Sequence, residues 1–311
     1  MALWSVAAGQ VEIRPAAAGT GVPVKTVFSA ISRGTERLVA AGEVPASEHD
    51  RMRGPGMEGT FPFPVKYGYC NVGEVQAGPL AGRHVFSLFP HQTHFCLPQE
   101  NLNVLPSHLP LERAVLAANM ETALNILWDS GAGAGDRIAV IGAGVVGSLV
   151  GYLAAQLPGA VVVLIDINPA REVLAKTLGV DFASTDDAPH DCDVVIHASA
   201  NPDGLALGLS IAGEGATVIE ASWYGDKIVP VPLGGAFHSR RLRLIASQVG
   251  HLPPTRLPRW SYARRMATAL DLLADDRLDL LISGETPFAD LPHRYADILA
   301  APDTLCHRIR Y

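Results

Sequence analysis

The stretch from Arg137 to Arg171 constrains the fold of this chain more than any other. It opens with the apolar run Ile138-Ala139-Val140-Ile141, the pattern of a strand buried on both faces. The run breaks into Gly142-Ala143-Gly144-Val145-Val146-Gly147, and an Ala- and Leu-rich helical segment follows to about Leu157. After Pro158-Gly159, a second apolar run from Ala160 to Ile165 ends in Asp166. Gly142 permits a tight turn, Gly144 lets the backbone approach a pyrophosphate, and Gly147 lets the helix lie close on the strand. The helix start at Val145 and Val146 offers free N–H groups and a positive dipole end to phosphate. Asp166 falls where an acid meets ribose hydroxyls, with Asn168 and Arg171 just beyond it. A lone Gly-rich turn is weak evidence. Strand, glycines, helix, second strand and terminal acid in register specify a dinucleotide-binding unit.

The remaining chain sorts around that unit. Residues 1–112 read as a β-rich domain, with short strands at Gln10–Arg14, Pro23–Ser29, Gly73–Gln76 and His84–Leu88 punctuated by Gly and Pro. Leu111 to Trp128 has apolar residues at helical spacing and leads into the unit. Strands are expected at Val194–Ala198, Ala216–Ala221 and Leu242–Ser247, and helices at Pro169–Leu178 and Gly204–Ala212. That alternation predicts an α/β fold with a doubly wound parallel sheet over residues 113–250. Residues 251–311, with a helix at Ala263–Leu273 and a short β-like tail, are expected to return to the first domain.

Composition narrows the partners. The 311 residues carry a net charge of −7 without a basic tract, which argues against nucleic acid. No apolar run is long enough to span a membrane, and the first residues lack the basic start and apolar core of a signal peptide. The four cysteines, Cys70, Cys96, Cys192 and Cys306, are scattered without metal spacing. A cytoplasmic protein with reduced thiols and a small-molecule substrate is expected.

Three stretches carry a family resemblance: Gly34-Thr35-Glu36, Gly68-Tyr69-Cys70-Asn71-Val72-Gly73, and Thr122-Ala123-Leu124 on the helix entering the Rossmann unit. With the domain order they resemble the medium-chain dehydrogenase/reductase superfamily across essentially the whole chain. The resemblance implies a Rossmann domain beside a GroES-like β-rich substrate domain. It also implies a nicotinamide cofactor and a homodimer joined at the sheet edge near Leu242–Ser247. Zinc members ligate their catalytic metal at positions that here hold Arg33, Tyr69 and Ala118, and their structural-zinc cysteine cluster is missing. Zinc needs Cys, His or carboxylate donors, so no metal is expected. Ile31-Ser32-Arg33-Gly34-Thr35-Glu36 is similar to a zinc-lacking branch that includes bacteriochlorophyllide a dehydrogenases and uncharacterised bacterial zinc-type alcohol dehydrogenase homologues.

Without zinc, a substrate oxygen needs a hydrogen-bond donor. Tyr69, at a former ligand position, is the first candidate, against the alternative that it only fills the cavity. Its ordinary pKa of about 10 suits a donor better than a base. Thr35 resembles the family's hydroxyl relay, while Glu36 is expected to pair with Arg33 or Arg37. Glu121 and His91 are further catalytic candidates; a paired acid and an uninvolved histidine are the plainer readings. Thr122 resembles a residue lying against the nicotinamide. Ser199 and Ser222 end Rossmann strands at the edge where ligands bind. Trp223 and Tyr224 suggest a flat lid or interdomain packing, and His238-Ser239-Arg240-Arg241 an anion wall or a paired loop. Asp166 without an adjacent Arg predicts NAD over NADP. The expected activity is zinc-independent hydride transfer to or from an alcohol or carbonyl. Quinone or enone reduction, or cofactor binding without turnover, are the alternatives.

Overall fold

The computed structural model describes all of residues 1–311, in two units. One comprises residues 1–118 and 266–311, the other residues 119–265. The sequence divided the chain at 112/113 and 250/251. The later divisions reflect packing of residues 119–130 and 251–265 within the nucleotide unit: Trp128 meets Trp260 at 4.5 Å between ring centroids, and Arg265 pairs with Glu121.

The nucleotide unit holds a six-stranded, wholly parallel sheet. Its order is Asp181–Ala183, Val161–Ile165, Arg137–Ile141, Cys192–His197, Ala212–Glu220, Arg243–Ala246. Chain order reverses beside Arg137–Ile141, where its neighbours are Val161–Ile165 and Cys192–His197. Such a switch point opens a crevice beyond the strands' carboxyl ends. Val140, Leu164, Val195, Ile196 and Val218 are buried, which explains why these strands read as unbroken apolar runs. The helices Val145–Ala154, Arg171–Leu178 and Pro202–Ile211 supply the crossovers.

The β-rich unit has two sheets. The larger contains Ile282–Pro287, Cys306–Arg310, Val22–Ile31, Asn71–Val75, His84–Ser87 and Asn103–Val104 in that order, with His94–Leu97 also paired to Val22–Ile31. Cys306–Arg310 lies antiparallel to Val22–Ile31, so the tail is built into the sheet. The smaller sheet pairs Ala2–Ala7 with Gln10–Arg14 and Val65–Lys66.

Several elements depart from the sequence reading. The helix expected over 111–128 is two, Leu111–Ala114 and Ala117–Ser130, with a tighter Leu116 N–H to Arg113 carbonyl bond between them. Arg113 anchors the short piece through a bidentate pair with Asp279 and through the carbonyls of Leu273 and Ala274. Arg33–Ala41 is helical, closed at Gly42 in the left-handed region at φ 78°. A further helix, Leu291–Ala300, interrupts the β-like tail, with a proline in its first turn where the missing N–H costs nothing. No helix is long and apolar enough to cross a membrane.

Candidate active site

In the parallel-sheet unit Gly142 and Gly147 have the backbone geometry their spacing predicts. Gly142 turns at φ 105°, and a Cβ there would lie 2.8 Å from the Ser199 nitrogen. A Cβ on Gly147 would run into the Gly142 carbonyl oxygen, so the helix Val145–Ala154 approaches the strand only because residue 147 has none. Gly144 caps that helix and has open space beside it, and Val145 and Val146 begin it half-buried. The Asp166 carboxylate is oriented by backbone: it accepts the Ala143 N–H at 2.6 Å and the Asn168 N–H at 2.8 Å. Each oxygen keeps a lone pair for a ligand hydroxyl. Asn168 Oδ1 accepts the Ala170 N–H, and Arg171 opens the next helix. A bare helix N-terminus, a close-packed glycine turn and an oriented acid fit a dinucleotide.

Ser199 and Ser222 lie at the same strand ends but belong to a network centred on His197, which the sequence reading passed over. His197 is fully buried, with Nδ1 2.8 Å from Glu220 Oε2 and Nε2 2.6 Å from Ser199 Oγ. Ser222 Oγ accepts the Ala200 N–H, and its own N–H donates to Glu220. Tyr224 is no free lid: its hydroxyl donates to Glu220 at 3.1 Å, and its ring stacks on His197. Thr122 sits half-buried on the helix Ala117–Ser130. One turn before Asn125 on that helix, Glu121 is buried and bonded by Arg265 Nε at 3.0 Å. Arg265 also donates to Asn125 Oδ1 and to the Val249 carbonyl. Burial pushes the Glu121 carboxyl above the usual range, against the opposing pull of Arg265. In the 238–241 run, Arg240 is spent on the Ala212 carbonyl, with Asp191 at 3.8 Å.

In the β-rich unit Tyr69 is half-buried, and its hydroxyl donates to Thr35 Oγ1 at 3.2 Å. Burial, and then Cys70 and Tyr67 nearby, push the phenol well above its ordinary value, outweighing its bonds to Ser32 and Thr35. It is therefore a donor at any working pH. Thr35, having accepted, keeps its own O–H for a ligand.

The expected Glu36–Arg pair is corrected. Glu36 is buried on the inner face of the helix Arg33–Ala41 and pairs with His91, Nε2 to Oε2 at 3.0 Å. Tyr295 donates to the same oxygen at 2.8 Å, and the Ser32 N–H to the other at 2.7 Å. His91 Nδ1 meets Ser29 Oγ, which reaches the Tyr311 hydroxyl. Gly68, at φ 124°, leaves room for the His91 ring: a Cβ there would sit 3.0 Å from Nε2. Sequence reasoning missed the pair because Glu36 and His91 are 55 residues apart. His94, by contrast, is exposed on its strand.

The three positions at which zinc members bind metal offer no donor set. Arg33 Nε donates to the Leu299 carbonyl, the Tyr69 hydroxyl is held by Thr35, and Ala118 has no ligating atom. No cluster of three or more His, Cys, Asp or Glu side chains elsewhere has the arrangement of a metal site.

The fold, a Rossmann-type parallel sheet and a GroES-like β-rich unit, is similar to that of solved alcohol dehydrogenases. The alcohol dehydrogenase of Thermus sp. ATN1 shares 19% identity at a TM-score of 0.76, over 99% of both chains. An alcohol dehydrogenase from Escherichia coli CFT073, solved with NADH, gives 14% and 0.78 over 100% of this chain and 98% of that one. An oxidoreductase of Salmonella enterica in complex with NADP gives 19% and 0.71 over 99% and 98%. Such identities establish fold alone. No family model matches. Among curated proteins, D-guloside 3-dehydrogenase of Escherichia coli K12 is 25% identical over 208 residues, 62% of this chain and 59% of its own. A zinc-type alcohol dehydrogenase-like protein of Haemophilus influenzae is 31% identical over 121 residues, 39% and 34% of the two chains. L-threonine 3-dehydrogenase of Sinorhizobium fredii is 32% identical over 119 residues, 38% and 34%. The chain thus spans less than two thirds of the length of these relatives.

Proposed function

We propose that this chain is a nicotinamide-dependent oxidoreductase that transfers hydride to or from a small alcohol or carbonyl compound without a catalytic zinc. The observation that carries the reading is the Gly142–Gly147 turn set against an oriented Asp166 at the switch point of a parallel sheet. The nicotinamide supplies the hydride chemistry. This chain's residues bind it and hold the substrate oxygen. Tyr69 donates to Thr35, and Thr35 donates onward, the pair standing in for a Lewis acid by placing a fixed dipole where negative charge develops. The dehydrogenase names of the relatives support the same class. The free cysteines suit a reducing, cytoplasmic setting.

The first test is cofactor choice. NADH is expected to bind at least about tenfold tighter than NADPH, since two unit charges about 4 Å apart at an effective dielectric of about 20 interact by roughly 4 kcal/mol, and half of that suffices. Asp166 supplies the charge that repels a 2′-phosphate, and Arg171 on the next helix offsets it in part. A fluorescence titration in which NADPH binds tighter refutes the preference.

Zinc content is the second test. Elemental analysis of the purified protein is expected to find no stoichiometric zinc, and a chelator to leave the melting temperature unchanged. About one zinc per chain would show that other residues bind it and that the register of Arg33, Tyr69 and Ala118 is wrong.

We also propose a homodimer joined at the open edge of the nucleotide sheet. Arg243–Ala246 is exposed along its length, with Leu244 36% and Ile245 38% accessible, and an unpaired apolar edge invites another strand. Light scattering is expected to give twice the chain mass, and a monomer at micromolar concentration counts against it.

A further inference from the structure

Between His251 and Arg265 the chain carries four arginines and a histidine and no aspartate or glutamate, in a protein whose net charge is −7. The charges are too widely spaced to read as a basic tract, and folding gathers them. The Arg256 N–H donates to the Pro253 carbonyl at 2.8 Å, and the Arg256 carbonyl accepts the N–H groups of Arg259 at 3.1 Å and Trp260 at 3.2 Å. The Tyr262 hydroxyl ties the segment to the Gly250 carbonyl, and Arg264 Nη1 donates to the Arg259 carbonyl at 2.8 Å. With Trp260 against Trp128, the Arg256 guanidinium lies 4.8 Å from the centre of the Trp128 ring and that of Arg264 4.0 Å from Trp260.

Part of this charge is spent and part is not. Arg265 is buried against Glu121. Arg256, half-buried, and Arg259, exposed, have no carboxylate partner, and neither guanidinium donates a hydrogen bond within the protein. Burial, and then the charge of Arg259, hold the Arg256 pKa below its ordinary value, and no acid opposes them. Stacking on an indole uses the face of a guanidinium and leaves its N–H groups free at the edge. That edge only donates, in the fork geometry that matches two oxygens of a phosphate or carboxylate. Covering Trp128 is the plainer account of the Arg256 stack, and a lysine stem would serve it as well. It leaves unexplained why a second cation sits beside the first with no acid between them, although the chain has 31 acidic residues to choose from.

We propose that Arg256 and Arg259, set against Trp128 and Trp260, form a binding site for a doubly charged oxyanion, a phosphate monoester or a small dicarboxylate. Two fixed cations match two negative charges, and the stack on Trp128 has already placed one fork, which lowers the ordering cost of binding. The site uses none of the residues assigned to the cofactor or to the Tyr69–Thr35 pair. It therefore stands or falls independently of the nicotinamide reading.

Calorimetric titration of the whole chain with inorganic phosphate and with succinate, at about pH 8 and about 50 mM sodium chloride, tests it. At least one anion is expected to saturate with a Kd of about 1 mM or tighter, and the tighter of the two identifies the ligand class. Arg256→Gln and Arg259→Gln are each expected to weaken binding at least about fivefold, and Arg256→Lys, which keeps the charge but loses the fork, at least about threefold. Arg51→Gln, which removes an exposed arginine from the β-rich unit, is expected to change it by less than about twofold. Should Arg256→Gln fail to fold, the exposed Arg259 carries the test through Arg259→Gln. Absence of saturation by about 20 mM of either anion overturns the site. So does binding that survives the Arg256 and Arg259 substitutions, as it would for phosphate held at the helix start beside Val145. Equal losses in Arg51→Gln and Arg259→Gln, or full binding by Arg256→Lys, reduce the effect to diffuse charge and overturn it as well.

Discussion

Arg265→Met is expected to destabilise the folded protein by about 3–5 kcal/mol near neutral pH, because it leaves a buried carboxylate without its cation. Arg265 and Glu121 are both buried, and the guanidinium satisfies Glu121, Asn125 and the Val249 carbonyl together. The penalty should depend on pH with a definite sign. Burial holds the Glu121 pKa above its unfolded value, with Arg265 pulling the other way. The native carboxyl thus binds its proton more tightly than the unfolded one, and stability falls as pH rises from the unfolded carboxylate range through the raised value. Removing Arg265 raises that value further and widens the window. Urea midpoints should therefore show a smaller deficit at about pH 5 than at about pH 7.5. The double variant Arg265→Met with Glu121→Leu should recover much of the loss, since a packed apolar pair avoids burying charge. An equal deficit at both pH values would mean that lost packing, not Glu121, sets the cost.

Tyr69→Phe is expected to lower turnover by up to about 10²–10³ with cofactor affinity unchanged: it removes the proton that orients Thr35 as donor, and loss of a preorganised donor to a developing oxyanion sets the upper limit. Burial keeps the phenol protonated, so the wild-type rate should show no loss attributable to Tyr69 ionisation below alkaline pH. The ring's volume survives the substitution, which separates the two readings of this residue: a cavity filler leaves the rate untouched, with only about 1 kcal/mol of stability lost with the bond to Thr35. A substrate must first be found by screening secondary alcohols, carbonyls and quinones with NADH and NAD⁺. Thr35→Val then asks whether the proton is donated through Thr35, as the 3.2 Å bond from Tyr69 implies. A Phe variant with wild-type turnover would assign Tyr69 to packing.

Much of the parallel-sheet unit was legible from residue order. The strands Arg137–Ile141 and Val161–Ile165 and the turn between them depend on local causes: apolar runs, backbone freedom at Gly142 and the missing Cβ at Gly147. Gln10–Arg14 was bounded to the residue, because alternation between Gly9 and Pro15 marks a short strand. The helix Arg33–Ala41 was not seen: burial of Leu38, Val39 and Ala40, the Glu36 contacts to Ser32 and His91, and the Gly42 closure stabilise it. Tyr69 and Thr35 were named as single candidates, whereas the bond joining residues 34 apart required the fold.

The sequence by itself determined a doubly wound sheet with a glycine-rich turn, an acid at Asp166, and Arg33, Tyr69 and Ala118 where a zinc site would need Cys, His or carboxylate donors. The tertiary structure alone decided which polar groups are spent. His91 closes on Glu36, Arg265 on Glu121 across 144 residues, and His197 on Glu220 across two neighbouring strands. Backbone geometry follows from short-range sterics and local hydrogen bonding, which residue order encodes directly. The partner of a buried charge is set by which distant segments the folded chain brings within hydrogen-bond reach, and there desolvation makes pairing obligatory.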